Sequence, residues 1–243
     1  YEWRWFTQFV EQSTIDSIPN VVTSGDISLE NVDFGFGPSQ NIYTNLSLHF
    51  PAKSLSVLTG DSGSGKSTLF QLLSGFSKIQ SGAIIIDGID INDIDRVYLR
   101  KCVVYLEQHI LIMEDLSVEQ NCLYGTNISS DKFIQFLQEN GLEHYMTVLF
   151  EKMGGIHEKV GTRGHLLSGG MRRMIGILRV LLKEDVKVYL LDEVLVGLDK
   201  DLQELVMTLI KTVCKNKTVI MISHLPLALK SADNHVDFNK FKQ

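Results

Sequence analysis

At 243 residues, with 44% hydrophobic and 21% charged residues, the chain is long enough for one large α/β domain or two small ones and has an ordinary globular composition. Its formal net charge of −6 argues against a broad nucleic-acid-binding surface, which needs clustered Lys and Arg, so no nucleic-acid partner is expected. No uncharged apolar run approaches the ~20 residues that span a bilayer, and Cys102, Cys122 and Cys214, odd in number and without a CxxC, read as reduced, buried thiols of a cytosolic compartment.

The chain opens at Tyr1 rather than Met, with Trp3, Trp5, Phe6, Phe9 and Val10 forming an aromatic, roughly helical start and residues 15–24 a connector. Two readings stay open: an arm packed on the domain, or a linker helix arriving from an upstream domain. From Ile27 the pattern turns strand-like through Leu29, Val32 and Phe34. Gly35-Phe36-Gly37-Pro38 then reads as a turn before Leu46, Leu48 and Phe50, which predicts an antiparallel sheet. Phe36 stands at its edge, and its spacing alone points no further than the core.

Leu55, Val57 and Leu58 predict a strand closing at Thr59. It leads into Gly60-Asp61-Ser62-Gly63-Ser64-Gly65-Lys66-Ser67-Thr68, which fits G-x-x-x-x-G-K-[ST]. Leu69, Leu72 and Leu73 follow at helical spacing, with Gly75 as the C-cap. In such a loop the glycines let backbone N–H groups turn onto a polyphosphate at the positive end of a helix. Lys66 would reach the β- and γ-phosphates and Ser67 would hold Mg²⁺.

Residues 82–88 read as a strand closed by an Asp87-Gly88 turn, and residues 102–106 as a short buried strand followed by Gln108. The texture of residues 117–150 is helical. Ser117-Val118-Glu119-Gln120 fits a capping box; Phe133, Phe136 and Leu137 share one face; Tyr145, Val148 and Leu149 predict a further short helix. Ser168-Gly169-Gly170 then opens a helix with Met174, Ile175, Leu178, Leu181 and Leu182 inward, a second place where free N–H groups meet a helix dipole.

Val188-Tyr189-Leu190-Leu191 is a strand buried on both faces that ends in Asp192-Glu193, at the sheet edge where open α/β folds bind ligands. A carboxylate there needs a cation or hydrogen bonds. Mg²⁺ on ATP would serve Asp192, and Glu193 would polarise the attacking water. Asp199 precedes an amphipathic helix, and residues 218–222 repeat the buried-strand design, ending in Ser223-His224. There His224 becomes a γ-phosphate contact.

Assembled in this order, residues 27–237 resemble the nucleotide-binding domain of an ATP-binding cassette (ABC) transporter. The resemblance implies a P-loop NTPase (RecA-like) α/β core with an antiparallel β subdomain and an inserted α-helical subdomain at about 109–176. Residues 1–24 would be a linker from an upstream membrane domain and residues 25–243 the cassette. By the same resemblance residues 60–68 are the Walker A loop, Gln108 the Q-loop glutamine that senses Mg²⁺, residues 167–171 the signature, and residues 188–193 the Walker B strand with its catalytic glutamate. Asp199 falls in the D-loop, His224 is the switch histidine, and Phe36 is the aromatic that stacks on adenine.

Glu158-Lys159-Val160-Gly161-Thr162-Arg163-Gly164 is similar to the segment that precedes the signature in exporters with fused membrane and nucleotide domains. The family works as a head-to-tail dimer, identical or not, in which Ser168, Gly169 and Gly170 of one cassette clasp the ATP held by the other. The expected setting is the cytoplasmic face of a membrane. Departures from the family pattern are Met171 in place of the signature glutamine, which is expected to weaken the partner's ATP site, Val196-Gly197 before Leu198-Asp199, and Thr162. The competing expectation, a soluble ABC ATPase of DNA maintenance or translation, is disfavoured by the short helical block, the single motif set and the acidic charge.

Overall fold

In the computed structural model of the chain, residues 22–37 and 40–241 are described; of the arm expected at residues 1–24, residues 1–21 lie outside them. The strands in chain order are β1 (Ile27–Gly37), β2 (Gln40–Phe50), β3 (Leu55–Thr59), β4 (Ser81–Ile86), β5 (Ile89–Asp90), β6 (Val103–Leu106), β7 (Val188–Asp192), β8 (Thr218–Ile222) and β9 (Asn234–Asp237). The helices are α1 (Lys66–Leu73), α2 (Arg96–Cys102), α3 (Val118–Leu123), α4 (Ser130–Glu139), α5 (Glu143–Phe150), α6 (Gly169–Leu181), α7 (Lys200–Val213) and α8 (Pro226–Ser231).

The apolar runs without alternation become the centre of a parallel sheet, ordered β6-β7-β8-β3-β9. Every residue of β7 and β8 is buried because both faces are covered. Tyr189, Leu191, Val219 and Met221 point into one core, shared with α6 and α7; Leu190, Ile220, Ile222 and Leu58 point into the other, shared with α1 and the antiparallel sheet. That second sheet is ordered β2-β1-β4-β5. The expected α/β architecture is thus present: a parallel core, an antiparallel sheet before and beside it, and a helical block between β6 and β7.

The helical block hangs on α6. Arg179 donates to the carbonyl oxygens of Asn121 (2.8 Å) and Leu111 (2.7 Å) and to Asn121 Oδ1 (3.0 Å). Ser117 and Gln120 make the predicted capping box at the start of α3.

One local expectation is corrected. Residues 35–37 are strand rather than turn, because Gly35 pairs with Asn41 and Gly37 with Gln40, and ladder pairing overrides the Gly-rich signal. On α5 the buried face is Met146 and Phe150, one turn apart and continuing from buried Leu142, whereas Val148 is exposed.

Where the chain enters the domain, one carboxylate gathers it. Asp87 (φ 51) and Gly88 (φ 84) make the β4–β5 turn, both in the left-handed region that a two-residue type I′ hairpin requires. The Asp87 carboxylate accepts N–H bonds from Thr23 (2.7 Å), Ser24 (2.9 Å), Gly25 (3.0 Å) and Asp26 (2.9 Å), and one from the Ser24 hydroxyl. Burial opposes ionisation, but the Ser24 hydroxyl and the N–H groups of Gly25, Asp26 and Ser24 outweigh it and hold the carboxyl at about 2, below its ordinary 3.8. The folded value is the lower one, so the stabilisation is fully present above about pH 4 and is lost as pH falls through about 2. Asp87→Ala is expected to cost about 1–3 kcal/mol at neutral pH. In denaturant melts, its deficit relative to the unaltered protein should shrink across that acid window; a pH-independent deficit would contradict the assignment.

Candidate functional site

The loop between β3 and α1 is shaped by glycines in backbone conformations that side chains rarely adopt. Gly63 has φ 78 and Gly65 φ 98. At Gly65 a Cβ would also lie 2.9 Å from the Tyr43 ring, whose hydroxyl donates to the Gly65 carbonyl at 2.5 Å. Lys66, the first residue of α1, folds back into this loop. Its ammonium donates to the carbonyls of Gly60 (2.6 Å) and Asp61 (2.7 Å) and to Ser64 Oγ (3.2 Å). Burial draws that ammonium below the usual lysine range, against the pull of Glu193, Asp192 and Asp61.

Opposite the loop stands the end of β7. Asp192, 4% exposed, accepts hydrogen bonds at Oδ2 from Ser67 Oγ (2.8 Å) and from the Tyr105 hydroxyl (3.2 Å). Burial, with Asp192 alongside, pushes the Tyr105 phenol above its usual range, so it remains a donor. Glu193 has φ 48 while its N–H pairs with the Ile222 carbonyl at 3.1 Å. A left-handed glutamate is a strained residue that the surrounding sheet holds in place. Gln108 Nε2 donates to Glu193 Oε2 at 2.8 Å.

Between these walls lies a polar cavity of about 610 Å³, lined by Ser62, Gly63, Gly65, Lys66, Ser67, Thr68, Gln108, Asp192, Glu193 and His224, with Ile42 and Ile222 at its apolar margins. A triphosphate fits its donors: loop N–H groups, a lysine and the N-terminus of α1. The oxygen set of Ser67, Asp192 and Gln108 suits Mg²⁺, which takes few protein ligands and leaves the rest to phosphates and water. No group of three or more His, Cys, Asp or Glu that could hold a metal occurs among the described residues.

The remaining predicted residues stand elsewhere. Phe36 is 62% exposed and meets Phe34 edge-on at 5.2 Å, outside the cavity. Ser168 is the N-cap of α6, with Gly169 and Gly170 in its first turn, and none of the three lines the cavity. Gly170 faces Leu198 and Gly197, so the turn before α7 lies beside the Ser168 turn, and the Asp199 carboxylate caps α7 through the Leu202 N–H at 2.9 Å. Met171 does not leave its place in the cap empty. Its sulfur accepts the Ser168 N–H at 3.2 Å while Ser168 Oγ accepts the Met171 N–H at 3.2 Å, a capping box closed by a thioether.

Sequence reasoning missed Tyr105, whose odd position in an apolar strand was the only hint, and Tyr43, which meets Gly65 across the sheet. It also missed Arg173, which donates to the Gln108 carbonyl at 2.9 Å and carries no motif signal.

The family described as ABC transporter matches residues 43–196 of the chain. A putative export ATP-binding/permease protein of Rickettsia typhi is 35% identical over 89% of this chain and 37% of its own length. The multidrug resistance-like ATP-binding protein MdlB of Buchnera aphidicola is 30% identical over 91% of this chain and 37% of its own. The chain therefore spans a little over a third of the length of these relatives. Among solved structures, a bacterial Atm1-family ABC exporter with ATP bound superposes with a TM-score of 0.81 at 26% identity, covering 96% of this chain and 41% of that one. With the phosphate loop, the buried Asp192 and the Ser168 turn all inside this shared fold, the chain belongs to the ABC transporter family, as an ATP-binding cassette.

Proposed function

We propose that this chain is the Mg²⁺-dependent ATPase unit of an exporter, fused to a membrane domain and working as a head-to-tail pair of cassettes. The observation that carries the reading is the one-sided cavity. The phosphate loop, Lys66, the Ser67–Asp192 pair, the Gln108–Glu193 pair and His224 converge on it, while the Ser168 turn contributes nothing to it from the same chain. A second cassette would close the open side with its own Ser168, Gly169 and Gly170.

The export role is supported by relatives whose names join ATP-binding and permease functions and whose length exceeds this chain's. No helix among the described residues is long and apolar enough to cross a membrane. The soluble-ATPase alternative finds no support in these relatives.

In hydrolysis Lys66 would leave its loop carbonyls for the β- and γ-phosphates. Ser67 and Asp192, with Gln108 beside them, would hold a nucleotide-borne Mg²⁺, which would supply charge neutralisation of the phosphates. Glu193 would take the proton of the attacking water, His224 would donate to the γ-phosphate, and Phe36 would stack on the base. Asp199 would act at the seam between cassettes, where its helix cap lies beside the Ser168 turn.

Two outcomes are expected in the intact protein. Glu193→Gln keeps the hydrogen bond to Gln108 and removes the base, so ATP affinity is retained while turnover falls about 100-fold or more; undiminished turnover would remove Glu193 from this role. Met171→Gln replaces an acceptor that is already engaged, so steady-state ATPase should rise by no more than about threefold. A larger rise would mean that the thioether fails to hold the Ser168 turn.

A further inference from the structure

Residues 107–112 have no regular secondary structure, yet they carry Gln108 to Glu193. Helix α6 holds this segment along its length. Near the start of the helix, Arg173 donates to the Gln108 carbonyl at 2.9 Å; near its end, Arg179 donates to the Leu111 carbonyl at 2.7 Å. Between the two, Ile110 lies directly on Gly176, where a Cβ would come within 2.5 Å of Ile110 Cδ1. The absence of a side chain at Gly176 is what lets the segment lie so close.

Arg173 also has a charge role. It is half-buried, and burial draws it below the usual arginine range, but the carboxylates of Glu193 and Asp192 favour its charged form. It therefore stands as a cation between the helix that begins at Ser168 and the two acidic residues of the cavity. Its neighbour Arg172 turns away, to the Gly164 carbonyl at 2.7 Å.

We propose that Arg173 is a positioning residue for ATP hydrolysis: by fixing the Gln108 carbonyl to the first turns of α6, it sets where the Gln108 amide meets Glu193. The inference rests on the ATPase reading above and deepens it. A shift of α6, such as closure of its Ser168 turn on a partner's nucleotide, would be passed through Arg173 to the glutamine–glutamate pair of its own site. Phosphate binding depends on the loop and Lys66, which Arg173 does not touch, so its loss acts on turnover and not on nucleotide affinity.

The test is ATPase kinetics of the intact protein with Arg173→Ala, Arg173→Lys and Glu193→Gln, alone and with Arg173→Ala and Glu193→Gln combined. Arg173→Ala should lower kcat about tenfold with KM within about twofold and a melting temperature lowered by no more than about 4 °C, since one bond to a loop carbonyl and a part-exposed charge interaction are lost. Arg173→Lys, which keeps a cationic donor, should recover most of that loss. In the Glu193→Gln background, Arg173→Ala should add nothing to the single-turnover defect, because it acts through Glu193. The proposal is overturned if Arg173→Ala turns over normally, if KM and melting temperature worsen beyond those bounds together with kcat, if lysine fails to rescue, or if the two substitutions multiply. Normal turnover by Glu193→Gln itself would overturn the underlying ATPase assignment instead, so the two failures are distinguishable.

Discussion

A carboxylate buried at the end of a strand that is apolar on both faces governs this structure. Asp192 cannot sit among Leu191, Ile222 and the core beneath them without compensation, and the Ser67 and Tyr105 hydroxyls supply it. Those two bonds connect β7 to α1 and to β6, so the phosphate loop is held at a fixed distance from the acidic edge of the parallel sheet. The cavity exists because that distance is fixed, and its chemistry follows from what stands on each wall.

The reactive groups of the site are engaged within the chain. Lys66 is bonded to the carbonyls of its own loop, and Glu193 holds the Gln108 amide. An arriving triphosphate offers Lys66 stronger, charged acceptors than two carbonyls and a hydroxyl. The strained backbone at Glu193 belongs to the same logic: its left-handed conformation directly after Asp192 sends two adjacent carboxylates to different partners, one to Ser67 and Tyr105 and one to Gln108. The Ser168 turn, already closed as a capping box through the Met171 sulfur, waits on a separate surface beside Gly197 and Leu198.

What was legible in the sequence was what is local. The phosphate loop, the buried strands ending in polar residues, the Asp87-Gly88 hairpin and the box at Ser117 are each set by residues within a few positions of one another, and each appears as read. The roles of Phe36 and Gln108 came from family resemblance, since a lone aromatic or glutamine has no periodicity to betray it, whereas His224 was read from its place at the end of a buried strand. What the sequence concealed is long-range. Asp87 collects N–H groups more than sixty positions earlier, and Arg173 reaches a carbonyl 65 positions away. Gly176 reads as a helix weakness until Ile110 is seen lying on it. The Gly-rich end of β1 was misread because strand pairing overrides the local signal there.

The central claim is that ATP lies between the Lys66 loop of one cassette and the Ser168 turn of another. Its most direct measurement is thiol labelling of Leu166→Cys, an exposed position just before that turn, in the intact Glu193→Gln protein; Cys102, Cys122 and Cys214 of the chain are buried. The same chain's cavity does not include this turn, so nucleotide-dependent protection there would report a second surface arriving on it. The account predicts that saturating Mg-ATP slows labelling severalfold and that Lys66→Ala, which loses the phosphate contact, abolishes the protection. Labelling at the same rate with and without Mg-ATP, in protein shown to have bound the nucleotide, would contradict it.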